Sequence, residues 1–173
     1  MRLRRVTNCS IAAIAFLSIS IVAWGQPKSA QFNHVTITLK TEGGPTMCRG
    51  DVRYCLPAYR VSLDENGTVK YFGIGGVKIE GKKTHSISPA TVRDLVAEFI
   101  RIKFFSLENE YRYKRLPDGT WTGTDHSNAT TISIDLDGKQ KSVYIFYGAP
   151  DELMALKRRL FDALQIVDYV GRA

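Results

Sequence analysis

Two dipeptides, Asn66-Gly67 and Asp137-Gly138, each lie between runs in which apolar and polar residues alternate, and this pattern commits much of the chain to antiparallel sheet. Asn, Asp and Gly tolerate a positive φ, so the backbone can reverse there at small steric cost. Tyr59, Val61 and Leu63 alternate with Arg60 and Ser62 before the first turn, and residues 69–72 resume the pattern after it. Residues 131–136 and 142–147 flank the second turn. Val35, Ile37 and Leu39, set against Thr36, Thr38 and Lys40, predict another strand. Residues 77–80 and 84–87 predict two further short strands around Gly81.

The period then changes from two to nearly four. Ser88 is placed to cap a helix and Pro89 occupies its first turn, where a missing N–H costs nothing. Val92, Leu95, Val96, Phe99 and Ile102 form its apolar stripe, and Phe104 and Phe105 close the core at its end. A second helix follows Ala149-Pro150, with Leu153, Leu156, Leu160, Leu164 and Val167 on one face. This order predicts an α+β fold: a two-layer sandwich, mainly antiparallel sheet, with two amphipathic helices packed on one face. One domain covers residues 35–170, after a short lead-in at 26–34. Residues 106–128 have no clear period and read as a long loop.

Residues 1–25 read as a cleavable signal peptide. Arg2, Arg4 and Arg5 precede an uncharged apolar run at 11–22, and Ala23 and Gly25 place small side chains before the expected cut. The run is shorter than the roughly twenty residues that span a bilayer as a helix. Thr7 and Asn8 fit a twin-arginine signal poorly, and Cys9 stands before the apolar run, not at its end as a lipoprotein anchor requires. The expected location is therefore periplasmic or extracellular, with no stable membrane span after cleavage. Removing three arginines and no acidic residue lowers the net charge from +7 to +4, which is small for a nucleic-acid binder. Cys9 leaves with the signal. Cys48 and Cys55 remain, and in an oxidising compartment they are expected to form a disulfide.

No motif rises to a catalytic constellation. Arg49-Gly50-Asp51 reads as a tight turn with two solvated charges, although the same tripeptide serves adhesion elsewhere. Residues 73–76 lack the following helix that a phosphate loop needs, so their glycines mark a bulge or close strand approach. His34, His85 and His126 are too scattered for a zinc site. Asp125-His126-Ser127 has the residue types of a hydrolase triad, but neighbours on one loop cannot generally face one another. Asp118 and Asp125 could line a calcium site, without the regular calcium-loop pattern. Asn66 and Asn128 head glycosylation sequons, which act only in a eukaryotic secretory route. Tyr111, Arg112, Tyr113, Lys114, Arg115 and Trp121 form the candidate contact surface, because aromatic and arginine side chains anchor most interfaces. The same residues could instead fold back and finish the core.

Cys48, Gly50, Cys55, Pro57 and Tyr59, the run at 66–71, and Gly73 to Val77 with Gly81 resemble a bacterial exported family known only as a domain of unknown function, numbered sixty-four thirty-eight. Ile87, the helix at 92–99, residues 104–107, Tyr111, Thr124-Asp125 and residues 147–150 extend the resemblance over most of 35–165. Leu56, which separates Cys55 from Pro57, departs from the family pattern. The resemblance implies an exported single domain and brings no reaction, ligand or catalytic residue with it.

The reading that follows is an exported, non-catalytic domain that contacts a protein or envelope component, not nucleic acid, through Tyr111, Arg112, Tyr113, Arg115, Trp121, Asp125 and His126. No cofactor or metal is nominated, and oligomeric state cannot be read from the sequence. A hydrolase or ion-dependent enzyme built on Asp118, Asp125 and His126 is the alternative from another class. A small inhibitor of a secreted enzyme is a third.

Overall fold

A computed structural model describes residues 32–43, 56–122 and 128–171. Among the described residues nine strands run in chain order: β1 (Val35–Glu42), β2 (Ala58–Asp64), β3 (Thr68–Gly75), β4 (Gly81–Ser86), β5 (Glu110–Tyr111), β6 (Lys114–Arg115), β7 (Trp121–Thr122), β8 (Ala129–Leu136) and β9 (Lys139–Ile145). Helix α1 (Pro89–Arg101) follows β4, and α2 (Asp151–Ala163) and α3 (Val167–Val170) close the described chain. Seven strands form one sheet in the order β4-β3-β2-β1-β8-β9-β5, and β6 and β7 form a separate ribbon. All neighbours in the large sheet are antiparallel except β5 and β9. This is the α+β fold the sequence predicts.

Register turns the alternation into layers. Tyr71, Val61, Leu39, Ile132 and Val143 stand in one row across five strands, and Val69, Leu63, Ile37 and Ile134 form the row beside it. All of these side chains are buried. Val92, Leu95, Val96 and Phe99 of α1 and Leu153, Leu156 and Leu160 of α2 join them in a single core. Burying each such side chain contributes about 1.5–3 kcal/mol. The opposite sheet face is left to solvent and carries Thr36, Thr38, Lys40, Arg60, Lys70, Phe72 and Ser133. Among the described residues, every buried core residue lies between Val35 and Ile166.

The turns behave as their chemistry dictates. Asp137 (φ 50°) and Gly138 (φ 84°) form a two-residue hairpin in which Leu136 pairs with Lys139. The Asp137 carboxylate also accepts the N–H groups of Asn33 and His34, at 2.9 and 2.8 Å, which ties the lead-in to this turn. Ser88 caps α1 by accepting the Thr91 N–H at 3.0 Å. Between the helices, Glu98 accepts from Arg101 Nε at 2.5 Å and from Arg159 Nη1 at 2.6 Å.

Three expectations need correction. Residues 77–80 are not a strand: β3 continues to Gly75, and β4 begins at Gly81. The pairing with β2 slips at this point, because Tyr59 faces Gly73 while its neighbour Ala58 faces Gly75, leaving Ile74 as the extra residue of a bulge. Residues 106–128 are not one long loop, since they hold β5, β6 and β7. Val167 is 39% exposed and does not continue the apolar face of α2, whereas Ile166 is buried. The helix ends near Leu164, and Gln165 turns the chain with φ 53°, which rotates the following residues off the original stripe.

Candidate functional site

The segment after α1 is built outward from the sheet edge. Lys141 anchors its start by donating to the Leu107 carbonyl at 2.6 Å and to the Asn109 side chain at 2.7 Å. Strand β5 then runs parallel to β9: the Tyr144 N–H donates to the Asn109 carbonyl at 2.9 Å, and the Phe146 N–H to the Tyr111 carbonyl at 2.8 Å. Tyr111 is half-buried against the core, so this residue performs the edge-closing role.

From Arg112 onward the chain leaves the sheet. Arg112 donates from Nε to Glu110 at 2.9 Å and stacks its guanidinium over the Tyr144 ring, 4.8 Å from the centroid. The Glu110 carboxylate raises the Arg112 pKa further, so the positive charge is permanent. Lys114 pairs with Thr122 and Arg115 with Trp121 in the β6–β7 ribbon. At its tip the Leu116 N–H donates to the Thr120 carbonyl at 2.8 Å, and the Gly119 N–H (φ 87°) donates to the Leu116 carbonyl at 2.9 Å. Trp121 is 66% exposed, Tyr113 59% and Leu116 37%. Three large side chains thus stand in water on or beside one short ribbon, where they contribute little to the core.

Asp118 is occupied by this turn. Its Oδ1 accepts the Thr120 hydroxyl at 2.7 Å and the Thr120 N–H at 2.9 Å. These bonds, the hydroxyl first, lower its pKa and fix it as an ionised turn residue facing solvent. Asp125, His126, Cys48 and Cys55 lie outside the described residues. Of the other histidines, His34 approaches Glu65 at 3.4 Å, and His85 Nδ1 meets the Tyr169 hydroxyl at 2.9 Å. Those two are not brought together. Among the described residues no group of three or more His, Cys, Asp or Glu is arranged to hold a metal ion. Among them, too, no helix is long and apolar enough to cross a membrane.

A cleft of about 370 Å³ lies beside α2, lined by Leu39, Tyr59, Met154, Lys157, Arg158, Phe161 and Asp162. Burial lowers the Lys157 pKa and raises that of the Tyr59 phenol. The Thr41 hydroxyl tempers the Tyr59 shift. A proton-bearing phenol and an amine at the rim of an apolar cleft make no set of nucleophile, base and oxyanion donors.

Sequence reasoning picked out Tyr113 and Trp121 as contact residues, and the structure leaves both exposed, Trp121 on β7 and Tyr113 immediately before β6. It missed the cation–π seat of Arg112 on Tyr144, because the parallel β5–β9 pairing that creates it joins distant parts of the chain. The fold and this surface define a small two-layer α+β domain with an aromatic ribbon at one sheet edge. The chain belongs to the family described as domain of unknown function DUF6438, whose model matches residues 36–164. No curated protein matches it.

Proposed function

We propose that this is an exported, non-catalytic binding domain that contacts a protein or envelope component through the β6–β7 ribbon. The supporting observation is the exposure of Trp121 on an element outside the main sheet and of Tyr113 at its entry, next to a permanently charged Arg112 held in place by Glu110 and Tyr144. Rigid aromatic rings with few rotatable bonds lose little entropy on binding, and arginine adds directional donors. The arginine-led apolar run at the N-terminus supports export.

Residues 26–173 and the double variant Tyr113→Ala, Trp121→Ala are incubated with envelope fractions, and captured components are identified by mass spectrometry. One reproducible partner retained by the parent chain and lost by the variant, with circular dichroism unchanged, is expected. Equal capture by both proteins removes the ribbon as the contact surface. Export is checked separately by sequencing the N-terminus of the secreted chain, which should begin at Gln26.

A further inference from the structure

The sheet face turned away from the helices carries a compact patch that folding does not account for. Lys70, Phe72 and Ile74 share that face of β3, and Phe72 stands in register between Arg60 of β2 and Lys82 of β4. At about 4.8 Å between strands, the three lie in a row roughly 10 Å long. Phe72 is 45% and Ile74 54% exposed, and Arg60, Lys70 and Lys82 are exposed around them.

Among the described residues, no carboxylate pairs with Arg60, Lys70 or Lys82. The acids of the same face are engaged locally: Glu42 by Lys40, Glu110 by Arg112, Asp64 by the N–H groups of Asn66 and Thr68, and Asp135 by Gly138 and Gln140. Lys82 and Lys83 on an edge strand discourage pairing with another chain. That purpose explains neither Arg60, which sits on an interior strand, nor two exposed apolar side chains beside it.

We propose that this patch docks the protein onto an anionic lipid bilayer. Phe72 and Ile74 enter the boundary between headgroups and acyl chains, while Arg60, Lys70 and Lys82 meet lipid phosphates. An aliphatic side chain beside the aromatic ring suits acyl chains, whereas stacking on sugars or bases uses the ring alone. Two shallow apolar insertions and three cations give reversible, salt-sensitive attachment, not a permanent anchor. The patch uses none of the ribbon residues.

The test is co-sedimentation of residues 26–173, which lack the apolar N-terminal run, with vesicles of mixed phosphatidylglycerol and phosphatidylcholine and with phosphatidylcholine alone. Binding to the anionic vesicles only, weakening as salt rises, is expected. Phe72→Ser with Ile74→Ser, and separately Arg60→Gln, Lys70→Gln and Lys82→Gln together, should each weaken it by roughly tenfold or more. The helix-layer triple Arg93→Gln, Arg101→Gln, Arg158→Gln, with the same change in charge, should bind nearly as the parent does. Circular dichroism identifies any variant that fails to fold, and the remaining set then decides. Tyr113→Ala with Trp121→Ala should retain vesicle binding, which separates this proposal from the ribbon's. Absence of anionic-vesicle binding, or equal loss in the helix-layer triple, overturns the proposal. So does vesicle binding indifferent to Phe72 and Ile74, which would mark a general polyanion site.

Discussion

The ring of Tyr169 stacks on that of Tyr71, with centroids 4.7 Å apart and planes at 26°. Tyr169 lies beyond the residues matched by the family, yet it closes one end of the core. Its carbonyl accepts the Ile79 N–H at 2.9 Å, its hydroxyl meets His85, and the Val170 carbonyl accepts the Lys78 N–H at 3.2 Å. Strands β3 and β4 and the bend between them are thus fastened by the C-terminal turn.

Replacing Tyr169 with Ala should therefore destabilise the domain by about 2–3 kcal/mol, through lost aromatic packing and newly exposed Tyr71. The urea unfolding midpoint checks this, and a midpoint equal to the parent's would show that the C-terminal turn is dispensable.

Tyr71 also supplies a pH dependence. Burial, followed by the charges of Tyr59 and Glu80, pushes its pKa up from 10.0 to about 12, and its hydroxyl donates to the Ile79 carbonyl at 3.1 Å. Above pH 10.0 the unfolded phenol loses its proton while the folded one keeps it, so the unfolded state binds fewer protons and stability falls with rising pH. This contribution is fully present below pH 10.0 and is lost as pH rises through about 12. Urea midpoints measured from pH 8 to 12 should decline less steeply for Tyr71→Phe than for the parent, and parallel curves would exclude Tyr71 as the source.

Two glycines two residues apart should respond unequally to alanine. A Cβ on Gly73 would meet the Ile79 carbonyl oxygen at 2.2 Å and the Tyr71 hydroxyl at 2.8 Å, whereas Gly75 has open space around it. Gly73→Ala should cost about 2 kcal/mol or more, and Gly75→Ala should fall within about 0.5 kcal/mol of the parent. Thermal denaturation of the pair is the measurement, with equal melting temperatures as the contrary outcome.

Glu98 joins two helices through two arginines, and its side chain is only 18% exposed. Glu98→Gln should lower stability by about 1 kcal/mol, less at high salt, with Arg159→Gln adding little to it. A double-mutant cycle at low and high ionic strength checks this. Strictly additive losses would mean that the contact between α1 and α2 contributes nothing.

What could be read from the chain alone was whatever short-range chemistry decides. Asp137-Gly138 makes its hairpin because these residues accept positive φ, and Ser88-Pro89 starts α1 because the cap and ring satisfy needs within one turn. The stripe of Val92, Leu95, Val96 and Phe99 follows from helical periodicity, and so does the two-layer class, since one-sided strands and one-sided helices must cover each other. For the candidate site, sequence identified Tyr113 and Trp121 by residue type, but not their setting. Strand β5 contributes two residues, too few for a period, and exists because the backbone of β9 offers partners. The exposure of Trp121, the seat of Arg112 on Tyr144, and the row of Arg60, Phe72 and Lys82 likewise depend on strand order and register. Local propensity starts the long strands and helices, but short strands such as β5, and the neighbours each element meets, are chosen by burial and hydrogen bonding between distant parts of the chain.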